Sequence, residues 1–240
     1  MHLDAVGAWD WLVTSPLFGI ALTLAAYQLA RRVWRAAGRN ALANPVLVSI
    51  ALIGGVLLLL QVDYGDYMAG GQYINFLLGP ATVALALPLH REVVLIRQAV
   101  APIVLGVVAG SVTAIVSAFW IVRALGGSHV LALSMAPKSA TTPVSIALAD
   151  TVGGAPALTA VFTVLAGVLG AVAGPRLLTL AGFRDLRARG LAIGVSSHGI
   201  GTARALEEDR TEGAFSGLAL ALNTLATATA LPLLLLMLNR

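Results

Sequence analysis

The sequence predicts an all-α, polytopic membrane protein, and three observations carry that prediction. Of the 240 residues, 58% are hydrophobic and 11% are charged, whereas an average soluble domain is about 25% charged. Mean hydropathy is +0.90, more apolar surface than a soluble fold of this length can bury. The apolar residues gather in charge-free runs, Asn40–Val62, Tyr67–Leu89, Ala99–Val122, Ala155–Pro175 and Ala214–Asn239. Each reaches the roughly 20 residues that a helix needs to cross a bilayer. A single integral domain, 1–240, is expected, with function performed inside or across the membrane.

The charges set a topology for about eight apolar units. Arg31, Arg32, Arg35 and Arg39 follow the first, about Trp11–Ala30, which places that loop in the cytoplasm and the acidic N-terminus outside. That N-terminus, with Asp4 and Asp10, does not read as a cleavable signal peptide. The second unit, about Pro45–Val62, returns to Asp63 and Asp66, and the third, Tyr73–Leu89, ends at His90, Arg91 and Arg97. Ala99–Val122, Val130–Ala149 and Pro156–Leu180 come next, then Arg184, Arg187 and Arg189. Gly190–Leu206, an acidic turn over Glu207–Glu212, and Ala214–Leu238 complete the chain. Strict alternation would put Arg184, Arg187 and Arg189 outside. About seven crossings plus one unit that enters and leaves on the same side, Tyr73–Leu89 or Val130–Ala149, removes that conflict. It sets the acidic turn outside and Arg240 inside.

Two pairs of segments suggest an internal repeat, with halves of about 45–125 and 126–240. "PATVALA" from Pro80 matches "PVSIALA" from Pro143, and "LGVVAGS" from Leu105 matches "LGAVAGP" from Leu169, at offsets of 63 and 64 residues. Gly- and Pro-interrupted segments at corresponding places in two halves point to a transporter's binding site. Here they are Gly79–Pro80 with Thr82, and Pro137–Pro143.

The second interruption carries the chemistry. In "SMAPKSATTPVSIALAD", Thr142–Pro143 reads as the N-cap and first residue of a new half-helix. Free N–H groups and the dipole's positive end favour an anion there. Lys138 adds a full charge, and Ser139, Thr141 and Thr142 add donors. A cation at membrane depth is a functional hypothesis by default. The plainer alternative is a snorkelling lysine and a kinked helix.

A second polar island, "GVSSHGIGTARALEE", runs from Gly194 to Glu208. Gly199 and Gly201 would let backbones approach closely, Thr202 would cap a helix carrying Arg204, and Ser196, Ser197 and His198 precede it. His198 is suited to move a proton near neutral pH, or it is a satisfied histidine at a helix junction. Asn75, Asn223, Thr224, Thr227 and Thr229 are expected to bond between helices. Gly106/Gly110 and Gly170/Gly174 imply close helix packing. Without cysteine, a phosphate loop, a nucleophile–base pair or partner ligands for His198, no enzyme, metal or cofactor is expected. The net charge of +4 flanks apolar runs, so no nucleic-acid partner is expected.

"MAPKSATTPVSIAL", "GGAPALTAVFTVLAGVLGAVAGP", "RGLAIGVSSHGIGTARALEED" and "FLLGPATVALALPLHRE" together resemble the LrgB/CidB family of bacterial membrane proteins, from roughly Pro45 to Leu238. The resemblance implies a multi-pass inner-membrane protein and two functional stories. One is an antiholin-like regulator of murein hydrolases and lysis, acting with a small four-span LrgA/CidA-type partner. The other is transport of pyruvate, glycolate or similar small carboxylates, as in the plastid glycolate/glycerate translocator. Carried over, the family's blocks give Gly79, Pro80 and Thr82; Pro137, Lys138, Ser139, Thr141, Thr142 and Pro143; and Ser197, His198, Gly199, Gly201 and Thr202. The physical reading favours transport of a small 2-oxo or 2-hydroxy acid. Dimers being common among such carriers, a homo-oligomer is expected.

Overall fold

A computed structural model describes residues 5–38, 43–84 and 90–238, and among these every regular element is a helix. The chain divides into two compact units, Met1–Ala84 and Leu85–Arg240.

The first unit holds α1 (Ala5–Thr14), α2 (Pro16–Ala36), α3 (Pro45–Leu60), α4 (Tyr64–Phe76) and α5 (Leu78–Ala84). The expected first span is two helices, because the Ser15 hydroxyl accepts from Leu17 N and Pro16 follows it. A proline at that position loses no helical hydrogen bond. Likewise the unit expected at Tyr73–Leu89 is divided. Asp63 caps α4 through Gly65 N at 2.7 Å, α5 starts afresh at Leu78, and residues 85–89 lie outside the described residues. α2 packs on α3 and α4, where Thr23 and Tyr67 share a hydroxyl–hydroxyl bond of 2.8 Å.

The second unit holds α6 (Val93–Gln98), α7 (Val100–Ala124), α8 (His129–Met135), α9 (Thr142–Val152), α10 (Pro156–Leu180), α11 (Leu186–Glu208) and α12 (Arg210–Leu238). Among the described residues three helices are long and apolar enough to cross a membrane: α7, α10 and α12. At 1.5 Å per residue the two helices of 25 residues reach about 37 Å, against about 30 Å of hydrocarbon. They expose large apolar side chains such as Leu105, Leu169 and Leu225, as lipid-facing surfaces do.

Two apolar clusters sit at opposite ends of this bundle. Ile103 and Val107 of α7 pack with Val195, Phe215 and Ala219. Ile115, Phe119 and Val122 at its other end pack with Ala132, Leu133, Leu231 and Leu235.

Between the spanning helices lie two chain reversals. After α8 the backbone turns through 136–141, and α9 returns: Ser145 Oγ donates to the carbonyls of Pro137 (2.7 Å) and Ala140 (3.2 Å), and Ala155 N donates to Ser134 Oγ at 2.7 Å. The second reversal is inside α11. His198 has φ 40° and ψ −137°, so Leu186–Ser197 and Gly199–Glu208 are separate half-helices. Ile193 and Gly201 would stand about 12 Å apart in a straight helix, yet Gly201 abuts the side chains of Ile193 and Ser197.

This reversal corrects the expected sidedness. Arg189 Nε lies 3.3 Å from Glu212 Oε2, and the same guanidinium donates to Thr179 Oγ1 (3.1 Å) and the Phe183 carbonyl (3.2 Å). The acidic turn therefore shares a face with Arg184, Arg187 and Arg189 and is not opposite them. Arg210 reaches Glu92 on that same face, at 3.8 Å. Arg184, Arg187, Arg189 and Arg210 thus gather at one end of the second unit. Arg240 lies outside the described residues.

Candidate functional site

The first interruption starts where proline forbids a continuous helix. Thr141 is the N-cap of α9, at φ −62° and ψ 144°, one residue before the expected Thr142, because Thr142 already has helical geometry and Pro143 follows it in the first turn. No side chain caps this start, so its first N–H groups remain open to a ligand. Ser139 is buried, Lys138, Thr141 and Thr142 are half-buried, and Pro143 is exposed. The ammonium of Lys138 lies 3.4 Å from Ser139 Oγ. Pro137 is fully buried and presents its carbonyl to Ser145.

The second interruption is held from α10. His198 Nε2 donates to the carbonyl of Thr163 at 2.8 Å. A Cβ at Gly167 would stand 2.5 Å from that ring nitrogen, and one at Gly170 would collide with Ser197 Oγ. Ser197 and His198 are buried in that cleft. Thr202 is no cap, as was expected of it. Its hydroxyl donates back to the His198 carbonyl and lies 2.9 Å from Ser216 Oγ on α12. Gly201 makes the close approach expected of it, whereas Gly199 faces open space.

Asn223 of α12 joins the two interruptions. Its amide nitrogen donates to the Ser139 carbonyl (2.8 Å) and the Val195 carbonyl (3.3 Å), while its Oδ1 accepts from Ser111 of α7. Asn223 is fully buried. Carbonyls freed by a broken helix need such a donor where no water reaches. The structure thus brings Lys138, Ser139, Ser197, His198 and Thr202 into one polar layer of the second unit. Gly79 and Pro80 belong to the first unit, where both are exposed, and the side chain of Thr82 lies outside the described residues.

Sequence reasoning missed several supports of this layer. Ser111, Thr163 and Ser216 are single hydroxyls in apolar runs and carry no pattern. Gly190 and Gly194 do carry one, a G-x-x-x-G. A Cβ on either would meet the backbone carbonyl of Glu212 or Ser216, which sets the spacing of α11 on α12. Of the pairs that were singled out, Gly110 and Gly170 make close contacts while Gly106 faces open space. Thr224 and Thr229 bond carbonyls of their own helix instead of a neighbour's, and Asn75 is exposed.

The profile of the LrgB-like family matches residues 23–237. The protein YxaC of Bacillus subtilis is 41% identical over 78% of this chain and 81% of its own length. YwbG of the same organism is 36% identical over 91% and 97%. The "Holin-like protein CidB" of Staphylococcus epidermidis is 34% identical over 91% and 95%. No solved structure matches the chain. With its spanning helices, its interrupted segments and a family match over most of its length, the chain is a multi-pass bacterial cell-membrane protein that belongs to the LrgB-like family.

Proposed function

We propose that the chain is a holin-like or antiholin-like membrane protein that regulates murein hydrolysis and lysis together with a small LrgA/CidA-type subunit. The names of its Staphylococcus relatives support this reading, better than they support any narrower one. The geometry favours a second, narrower reading: a carrier or facilitator of small monocarboxylates of the pyruvate or glycolate kind. The observation that supports it is the meeting of two helix interruptions at Asn223, with Lys138 beside an uncapped helix start.

In that reading the carboxylate lies between the Lys138 ammonium and the open N–H groups of α9, with Ser139, Thr141 and Thr142 as donors. Desolvating an anion is costly unless charge and hydrogen bonds replace its water, and this layer supplies both. The unit made by α7 and the α8–α9 reversal is followed by α10 and the α11 reversal, running the opposite way. Two such units of opposed direction, 100–152 and 156–208, suit alternating access around a central site; their bounds differ from the halves of about 45–125 and 126–240 expected from the 64-residue match. That match pairs the sixth residue of α7 with the fourteenth of α10.

Reconstitution into proteoliposomes separates the two readings. A carrier takes up labelled pyruvate or glycolate saturably, and Lys138→Ala lowers uptake about 10-fold or more, the loss of one charge-assisted hydrogen bond. A regulator copurifies with a four-span subunit and gives leak without saturation. Uptake indifferent to Lys138→Ala removes the assigned site.

A further inference from the structure

Thr163 is fully buried in α10, and its hydroxyl has no hydrogen-bond partner among the described residues. That is unlike its neighbours. The hydroxyls of Ser134, Thr159, Thr179, Ser196 and Thr224 each donate to the carbonyl four residues back in their own helix, the usual way to satisfy such a group in lipid. An unsatisfied buried hydroxyl costs about 1–3 kcal/mol, so a chain retains one where it has another use.

The position of Thr163 indicates that use. Spaced four and seven residues before Gly167 and Gly170, it shares with them the α10 face against which His198 and Ser197 pack. Its own carbonyl holds the His198 ring. α9 packs on α10 through the short link 153–155. Eight residues beyond Ala155, Thr163 is about 12 Å along α10, which is level with the first turns of α9. The unsatisfied donor, the histidine at the second reversal and the uncapped start of α9 thus occupy one depth.

Resting on the carrier reading above, we infer that Thr163 is a further ligand-binding residue. Its hydroxyl takes the 2-oxo or 2-hydroxy oxygen of the acid whose carboxylate is held at Lys138. It is what distinguishes such acids from plain carboxylates of the same size. A buried hydroxyl left unpaired by the wrong ligand discriminates more strongly than an extra methylene does.

The test measures binding of glycolate and acetate, and of lactate and propionate, to the full-length protein in detergent by calorimetry. The wild type should bind each hydroxy acid about 10-fold tighter than its plain counterpart, the worth of one hydrogen bond. Thr163→Val, which keeps the side chain's shape, should abolish that ratio and leave acetate and propionate unchanged, and Thr163→Ser should restore it. Equal affinity for both acids of a pair in the wild type, or equal losses for both in Thr163→Val, overturns the inference and leaves the carrier reading standing. A wild type that binds none of the four acids overturns the carrier reading, and the inference falls with it.

Discussion

Asn223 uses both amide hydrogens and its carbonyl oxygen, and each reaches a different element. Replacing it with leucine would leave the carbonyls of Ser139 and Val195 and the hydroxyl of Ser111 without these partners. A loss of about 1–3 kcal/mol is expected, read as an earlier midpoint in denaturant titration of the purified protein. Asp185, in the loop before α11, is a simpler case. Arg187 holds its carboxyl down to about 2, chiefly through a side-chain hydrogen bond, and its Oδ1 caps α11 at Arg187 N and Ala188 N. A depressed carboxyl contributes stability above its unfolded value and loses it as pH falls through the folded one. The cap should therefore persist at neutral pH and fade between about pH 4 and 2. A helicity titration shows this, and Asp185→Asn should flatten that arm of the curve. Single residues divide by legibility. Lys138 stood out because prolines flank it, whereas a lone asparagine in an apolar run does not say what lies across from it.

Elements were legible where proline or charge marks an end. α10 has the bounds that the sequence implies, Pro156 to Leu180, and the break before α9 falls within one residue of its expected place. A helix junction at His198 was legible from the polar island around it, but the reversal of direction there was not, because its pivot is a histidine and not a glycine. His198 holds a positive φ that L-residues seldom adopt, and distant groups fix it there: Thr163, Gly167 and Gly170 of α10, and Ser216 of α12. The pairing of α11 with α12 depends in turn on Gly190 and Gly194. Gly194→Val would drive a side chain into the Ser216 carbonyl and Ala219 Cβ. A backbone cannot yield as a flexible side chain can, so destabilisation of about 1–3 kcal/mol or more is expected. The thermal midpoint of the purified variant reads it. Gly199→Ala, which meets open space, is the control and should leave the midpoint nearly unchanged.

For the whole molecule, the class was legible from composition, but the sidedness was not. Counting apolar units treats each as a crossing or a single return, and it cannot show two returns from opposite ends. The Arg189–Glu212 pair settles the matter for the second unit. The chain has no natural cysteine, so the expectation is clean to check. Cysteines placed at Arg184 and at Glu207 should react with an impermeant maleimide from the same side of sealed vesicles. One placed at Leu125 should react from the opposite side. Opposite labelling of the first two would overturn the reversal of α11.

The Arg189–Glu212 pair also has a consequence for how the protein is made. Glu212 and the carbonyls against which Gly190 and Gly194 rest come off the ribosome after α11 does. Until α12 has emerged and inserted, the two half-helices have neither their ionic partner nor the surface that keeps Thr202 from lipid. The biosynthetic machinery must shelter a polar, unfinished loop for some thirty codons, so a nascent chain stalled before Glu212 should be a preferred target of membrane quality-control proteases.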